Sequence, residues 1–279
     1  MSGAGEALAD IFDVRGRVTL VTGAGSGLGR AIAGAMHACG ARVIAADRDP
    51  DRLSRLETDL GGSPGEQRIP VEPATVDVSD ADAVDALVDG IVARHGRVDV
   101  VFANAGIARG RGPTDPAGGV DTFDMGDWHA LLDVNLHGVV HTMRPAARHM
   151  KRQRDGAIVV TASTAGMRAD PLVSYSYIVA KAGVLNLVRQ AALDLARWNV
   201  RVNAIAPGPF RTNIGGGGPI GPEVAASWGG TVALRRMGDP SEIRGLAVLL
   251  ASSASSFMTG GVYPIDGGAL LQGVPLDPG

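Results

Sequence analysis

Short β-branched runs alternate with longer runs whose apolar residues recur at helical spacing, and the alternation persists along nearly the whole chain. Residues 17–22 form the first strand-like run, followed by a glycine turn. Leu28, Ala31, Ile32, Ala35, Met36 and Cys39 then share one helical stripe. A second strand over 42–47 precedes a helix carrying Leu53, Leu56 and Leu60. A third ends near 75–77, after which Ser79 is placed to cap a helix striped by Val84, Leu87, Val88, Ile91 and Val92. Strands over 98–104, 157–161 and 200–205 are separated by two long helices, one from Trp128 through Asn135 to Met143 and one over 175–199. Asp239-Pro240-Ser241-Glu242 is a strong helix start, and Pro264 marks a last strand over 261–265 as an edge.

Strands that alternate with helices cannot close as hairpins, so the sheet has to be parallel with crossover helices. The expected fold class is α/β: a Rossmann-like, doubly wound parallel sheet of about seven strands with helices on both faces. No proline-rich linker or charge run divides the chain, and 106–122 and 209–235 are its only long loops. We expect one dinucleotide-binding domain over 1–279, with 1–13 and 269–279 as terminal extensions.

Composition narrows the function classes. The net charge of −3 gives no basic field for nucleic acid or an anionic membrane. Aromatic residues are 4% of the chain, so the core has to be aliphatic. The single cysteine, Cys39, rules out an internal disulfide and falls in the stripe as a core residue. Glu6, Asp10 and Asp13 interrupt the N-terminus, and no stretch approaches the ~18 apolar residues a bilayer span needs. A cytoplasmic protein is expected.

Thr22-Gly23-Ala24-Gly25-Ser26-Gly27-Leu28-Gly29 lies between the first strand and the first helix. There the chain must turn tightly, approach a pyrophosphate without Cβ atoms in the way, and aim free N–H groups at it. A glycine turn alone could be a plain connection. Asp47 adds weight, because it ends the second strand 18 residues after Gly29. Its carboxylate would accept hydrogen bonds from the adenosine ribose and repel a 2′-phosphate. The adjacent Arg48 could pair with that phosphate, but with Asp47 ahead of it NAD is favoured over NADP.

Tyr177 and Lys181 are four residues apart and share one helix face. A free phenol, with a pKa of about 10, is a poor base at neutral pH unless a nearby ammonium stabilises the phenolate. By spacing alone the two would equally suit a surface pair.

Taken in order, Thr22-Gly23-x3-Gly27-x-Gly29, Asn104-Ala105-Gly106, Ser163 and Tyr177-x3-Lys181 resemble the short-chain dehydrogenase/reductase family over residues 14–268. The resemblance implies an NAD-dependent oxidoreductase acting on a secondary alcohol or ketone. Tyr177 would be the acid/base, Lys181 would lower its pKa and hold the nicotinamide ribose, Ser163 would hydrogen-bond the reacting oxygen, and Asn135 would anchor a water. Gly23, Ser26, Gly27, Leu28 and Gly29 would hold the cofactor, with Asp47 and Arg48 at the ribose and Asp77 and Val78 at the adenine. Asn104, Ala105 and Gly106 would line the cleft, and Pro207, Gly208, Phe210 and Thr212 would flank the nicotinamide. The resemblance also implies a homotetramer.

The 14 residues from Ser163 to Tyr177 are one more than the family's usual spacing. Either Thr164 supplies the hydroxyl or the loop through Asp170-Pro171 absorbs the extra residue, and the Ser163-Thr-Ala-Gly166 run favours the second. Tyr175 is no substitute for Tyr177, because Val179 stands four residues after it. His137 and His141 have the spacing of metal ligands, yet Gly138 stands where a hydrolytic zinc helix needs glutamate; no metal is expected. A different class, a dinucleotide-binding sensor without catalysis, predicts damaged catalytic positions. Gly215–Gly218 is a hinge or a plain flexible loop, and the loops 107–122, 167–176 and 209–235 would set the substrate.

Overall fold

The computed structural model describes residues 9–61, 69–212, 214 and 220–271. Among these, one sheet contains β1 (Val18–Thr22), β2 (Arg42–Asp47), β3 (Glu72–Thr75), β4 (Val100–Ala103), β5 (Gly156–Thr161), β6 (Val200–Pro207) and β7 (Val262–Ile265). The order is β3-β2-β1-β4-β5-β6-β7 and every pairing is parallel. The order reverses between β1 and β4, which opens a crevice at the C-terminal ends of those strands. Pro264 lies on the β7 edge as expected, and Pro73 lies in β3 at the opposite edge.

The helices are α1 (Gly27–Ala38), α2 (Pro50–Leu60), α3 (Ala81–His95), α4 (Met125–Leu132), α5 (Gly138–Gln153), α6 (Tyr175–Leu195), α7 (Pro222–Gly230) and α8 (Arg244–Ala251). They cover both faces, because successive strand residues point to opposite sides. In β4, Val101 and Ala103 face α3, α5 and α6, while Val100 and Phe102 face α1, α2 and α8. Both faces are apolar, so the central strands are buried throughout.

Three local expectations are corrected. Asp80, not Ser79, caps α3, accepting from Ala83 N at 3.0 Å. Ser79 is instead held by Asp77 Oδ1, which takes both its amide and its hydroxyl. Cys39 is exposed, because α1 ends at Ala38 and Gly40, at φ +83°, turns the chain away from the stripe. The long helix through Asn135 is divided by a π turn over Asp133–His137 between α4 and α5. The suggested hinge Gly215–Gly218 and parts of both terminal extensions lie outside the described residues.

Candidate active site

Tyr177 lies in the first turn of α6 and Lys181 one turn later. Ser163 reaches Tyr177 because it caps a short 3₁₀ turn, Thr164–Gly166, packed directly on α6. A Cβ on Gly166 would stand 2.6 Å from the Lys181 carbonyl carbon, so only glycine permits this approach. Ser163 Oγ accepts from Ala165 N at 3.1 Å and lies near enough to the Tyr177 phenol to lower its pKa. Thr164 Oγ1 turns the other way, to Pro207 O at 3.3 Å. The loop between is drawn outward at Pro171, whose carbonyl accepts from the Thr114 hydroxyl at 3.1 Å.

Lys181 Nζ donates to Thr161 O at 2.7 Å and lies 5.8 Å from the centre of the Tyr177 ring. Burial lowers its pKa to about 8. Burial also pushes the Tyr177 phenol above its ordinary value, and the Ser163 hydroxyl opposes this. This direction is opposite to the lowering expected from Lys181, whose ammonium is turned to a carbonyl rather than to the phenol oxygen.

Asn135 is fully buried in the π turn. Its Oδ1 accepts from Ile107 N and its Nδ2 donates to Ile107 O, each at 2.8 Å. Both arms therefore hold the chain leaving β4. Gly106 lies between them and the lysine: a Cβ there would be 3.4 Å from Asn135 Oδ1 and 3.8 Å from Lys181 Nζ. Leu131, Asn135 and Val139 keep an ordinary helical spacing, so the sequence gives no signal for the π turn.

At the crevice, a Cβ on Gly23 would meet Ala105 Cα at 2.8 Å, and one on Gly29 would meet Asn104 Nδ2 at 2.5 Å. Gly23 also has φ +67°. Gly27 faces the Thr212 side chain. Ser26 opens α1 without a side-chain cap, so the first helical N–H groups remain for an outside acceptor. Asp47 is buried, accepting from Gly25 N at 2.9 Å and Asp49 N at 3.1 Å. Backbone donors and glycines without Cβ atoms fit a dinucleotide pyrophosphate.

Around the adenine end, Val78 is buried against Gly138, where a Cβ would lie 2.7 Å from Val78 Cγ2. The Asp77 carboxyl is held below its usual range, chiefly by the Ser79 amide and also by Arg48 nearby. Leu28 packs on the core beneath the turn. On the nicotinamide side, Gly208 is closed against Asp266. The Phe210 ring is buried against Gly238.

Arg52 was not anticipated. It reaches Ser26 Oγ at 3.5 Å and pairs with Asp49 at 3.0 Å, beside the Asp47 carboxylate. Its place in the first turn after a capping Asp was the available signal. His137 and His141 take separate partners, Asp133 Oδ1 and Val78 O. Among the described residues no helix is long and apolar enough to cross a membrane.

A family model described as Enoyl-(Acyl carrier protein) reductase matches residues 23–269. The 3-oxoacyl-(acyl-carrier-protein) reductase FabG of Thermotoga maritima is 36% identical over 259 residues, covering 92% of this chain and 99% of that protein. The cis-4-hydroxycyclohexanecarboxylate dehydrogenase of Sinomonas cyclohexanicum is 36% identical over 266 residues, covering 95% and 98%. The crystal structure of a short-chain type dehydrogenase/reductase from Mycobacterium marinum matches with a TM-score of 0.84 at 34% identity, covering 94% and 99%. The chain belongs to the short-chain dehydrogenase/reductase family, oxidoreductases that act on alcohol and carbonyl groups with a nicotinamide cofactor.

Proposed function

We propose that the protein is a single-domain, NAD-dependent dehydrogenase/reductase for a secondary alcohol or ketone, with Tyr177 as its acid/base. The observation that carries this reading is the convergence of Ser163, Tyr177 and Lys181, with the ammonium 5.8 Å from the Tyr177 ring and the turn that Ser163 caps packed on α6. In the oxidative direction the Tyr177 oxygen takes the hydroxyl proton of the substrate; in reduction it returns that proton to the carbonyl. Ser163 hydrogen-bonds the same substrate oxygen and stabilises the charge that develops on it. Lys181, buried with its ammonium 5.8 Å from the Tyr177 ring, would hold the nicotinamide ribose. A nicotinamide bound there would supply the hydride acceptor or donor.

Asp47 supports the choice of NAD, since a buried carboxylate at the ribose edge repels a 2′-phosphate. Arg48 and Arg52 stand nearby as the cations that would favour the phosphate. The fit of the family resemblance further suggests a cytoplasmic homotetramer with no nucleic-acid or membrane partner. The two curated relatives are named for a 3-oxoacyl group and a hydroxycyclohexane carboxylate, which keeps both acyclic and cyclic substrates within the reading.

Purified protein, NAD and a panel of secondary alcohols, followed by NADH absorbance, test the activity. Tyr177→Phe is expected to abolish turnover and keep NADH binding; retained turnover in that variant overturns the assignment.

A further inference from the structure

We propose that Thr161 is a positioning residue, whose hydroxyl, held by Asn104, fixes the carbonyl on which Lys181 rests and ties the lysine to the glycine turn. The inference rests on Lys181 being the working lysine of the proposed reaction.

The β4–β5 ladder stops short of Thr161. The last pair is Ala103 with Val160. The next two amides of the β4 chain do not continue the ladder. Asn104 N and Ala105 N both donate to Thr22 Oγ1, at 3.0 and 3.1 Å. The carbonyl of Thr161, the last residue of β5, faces the place those amides have left, and Lys181 Nζ takes it at 2.7 Å. A buried carbonyl needs a donor, and here a side chain replaces a strand.

The missing ladder bond is replaced in a second way. Thr161 Oγ1 donates to Asn104 Oδ1 at 2.9 Å, while Asn104 Nδ2 donates to Thr22 O at 3.0 Å. Thr22 directly precedes Gly23, and a Cβ on Gly29 would strike Asn104 Nδ2 as well as the Gly23 carbonyl. The cofactor turn, Asn104, Thr161 and Lys181 thus form one chain of hydrogen bonds. Thr22, Thr161 and Lys181 are all buried, so water offers little alternative to it. On its other side the end of β5 is held by β6, where Ala162 N donates to Ile205 O at 2.8 Å. That amide shares a peptide plane with the Thr161 carbonyl, and the Thr161 hydroxyl adds a second anchor from the β4 side through Asn104.

The neighbours of Lys181 leave the effect easy to read. Tyr177 on α6, Asn135 in the π turn, Gly106 after β4 and Gly166 in the 3₁₀ turn surround it. Burial is the cause of its shift, and no charged side chain contributes.

The sequence supplies a direct probe, because it contains two lysines, Lys151 and Lys181. Lys151 is paired with Asp194 on the surface at 3.0 Å and serves as an internal reference. The protein is labelled with 13C-lysine and the Cε resonances are followed against pH in wild type, Thr161→Val and Thr161→Ser. Thr161→Val is expected to lower the Lys181 midpoint by at least about half a pH unit, because the carbonyl that accepts from the ammonium is held less firmly. Thr161→Ser is expected to restore the wild-type midpoint, with Lys151 unmoved throughout. An unchanged or raised midpoint in Thr161→Val, or no recovery in Thr161→Ser, overturns the inference. If Thr161→Val does not fold, Thr161→Ala makes the same comparison. The readout needs no substrate, so it stands apart from the Tyr177→Phe test of the proposed reaction.

Discussion

Ser163 is brought to the Tyr177 phenol across a 14-residue connection, and Gly166 is what allows it. The 3₁₀ turn after Ser163 rests on the backbone of α6 with no side chain between them. The geometry of the proposed acid/base therefore depends on a backbone contact as well as on the two side chains.

Ser163→Ala is expected to lower kcat by about 10²- to 10³-fold, the usual loss for one preorganised donor. NADH affinity, measured by fluorescence, should not change. Thr164→Val should retain turnover, because its hydroxyl is directed at Pro207 O. The reverse ranking of the two variants would assign the substrate hydrogen bond to Thr164.

Gly166→Ala places a Cβ 2.6 Å from a backbone carbon of α6. Overpacking of this kind costs about 1–3 kcal/mol, a few degrees of Tm in a domain of this size. The predicted signature is a fall in both Tm and kcat with NADH binding preserved. An unchanged Tm would mean that the turn moves away from α6 freely.

Asp47→Ser removes the carboxylate and leaves Arg48 and Arg52 beside the ribose edge. The ratio of NADH to NADPH affinity should fall by at least about tenfold, or roughly 1.4 kcal/mol. Adding Arg52→Ala to this variant should weaken NADPH more than NADH. Equal effects on the two cofactors would place Arg52 outside the phosphate's reach.

Lys181 also predicts a pH dependence of stability. Folded, it releases its proton near pH 8, whereas an unfolded lysine keeps its proton to about 10.4. Between those values the unfolded chain binds more protons, so stability rises with pH. Below pH 8 both states are protonated and the cost of burying the charge is present in full. Relative to Lys181→Met, the wild type should gain at most about 3 kcal/mol between pH 8 and 10.5. Urea unfolding of both proteins at pH 7 and pH 10 checks this; a difference that stays flat contradicts the burial argument.

The sheet and its helices were legible because burial on both faces leaves long apolar runs and helical stripes. The crevice was legible because a glycine turn and a carboxylate at fixed strand ends restrict each other. The π turn at Asn135 was not, since the apolar stripe continues through it. Cys39 and Ser79 were misplaced by a single residue of helix boundary, which composition cannot resolve. The direction of the Tyr177 shift needed the structure, because spacing shows that Lys181 is near but not which oxygen its ammonium addresses. Thr161 and Arg52 gave weak signals for a similar reason: a threonine ending a strand and an arginine opening a helix are ordinary in sequence.

The prolines at the two edges of the sheet bear on how the chain reaches its native state. An all-parallel sheet pairs strands far apart in sequence, so it assembles slowly and passes through species with open edges. Pro73 in β3 and Pro264 in β7 each interrupt the row of amide donors at the outermost strands. A neighbouring partly folded chain meets no continuous ladder to extend on either side. Replacing both prolines with valine would leave the crevice untouched and convert the edges into templates for aggregation during refolding.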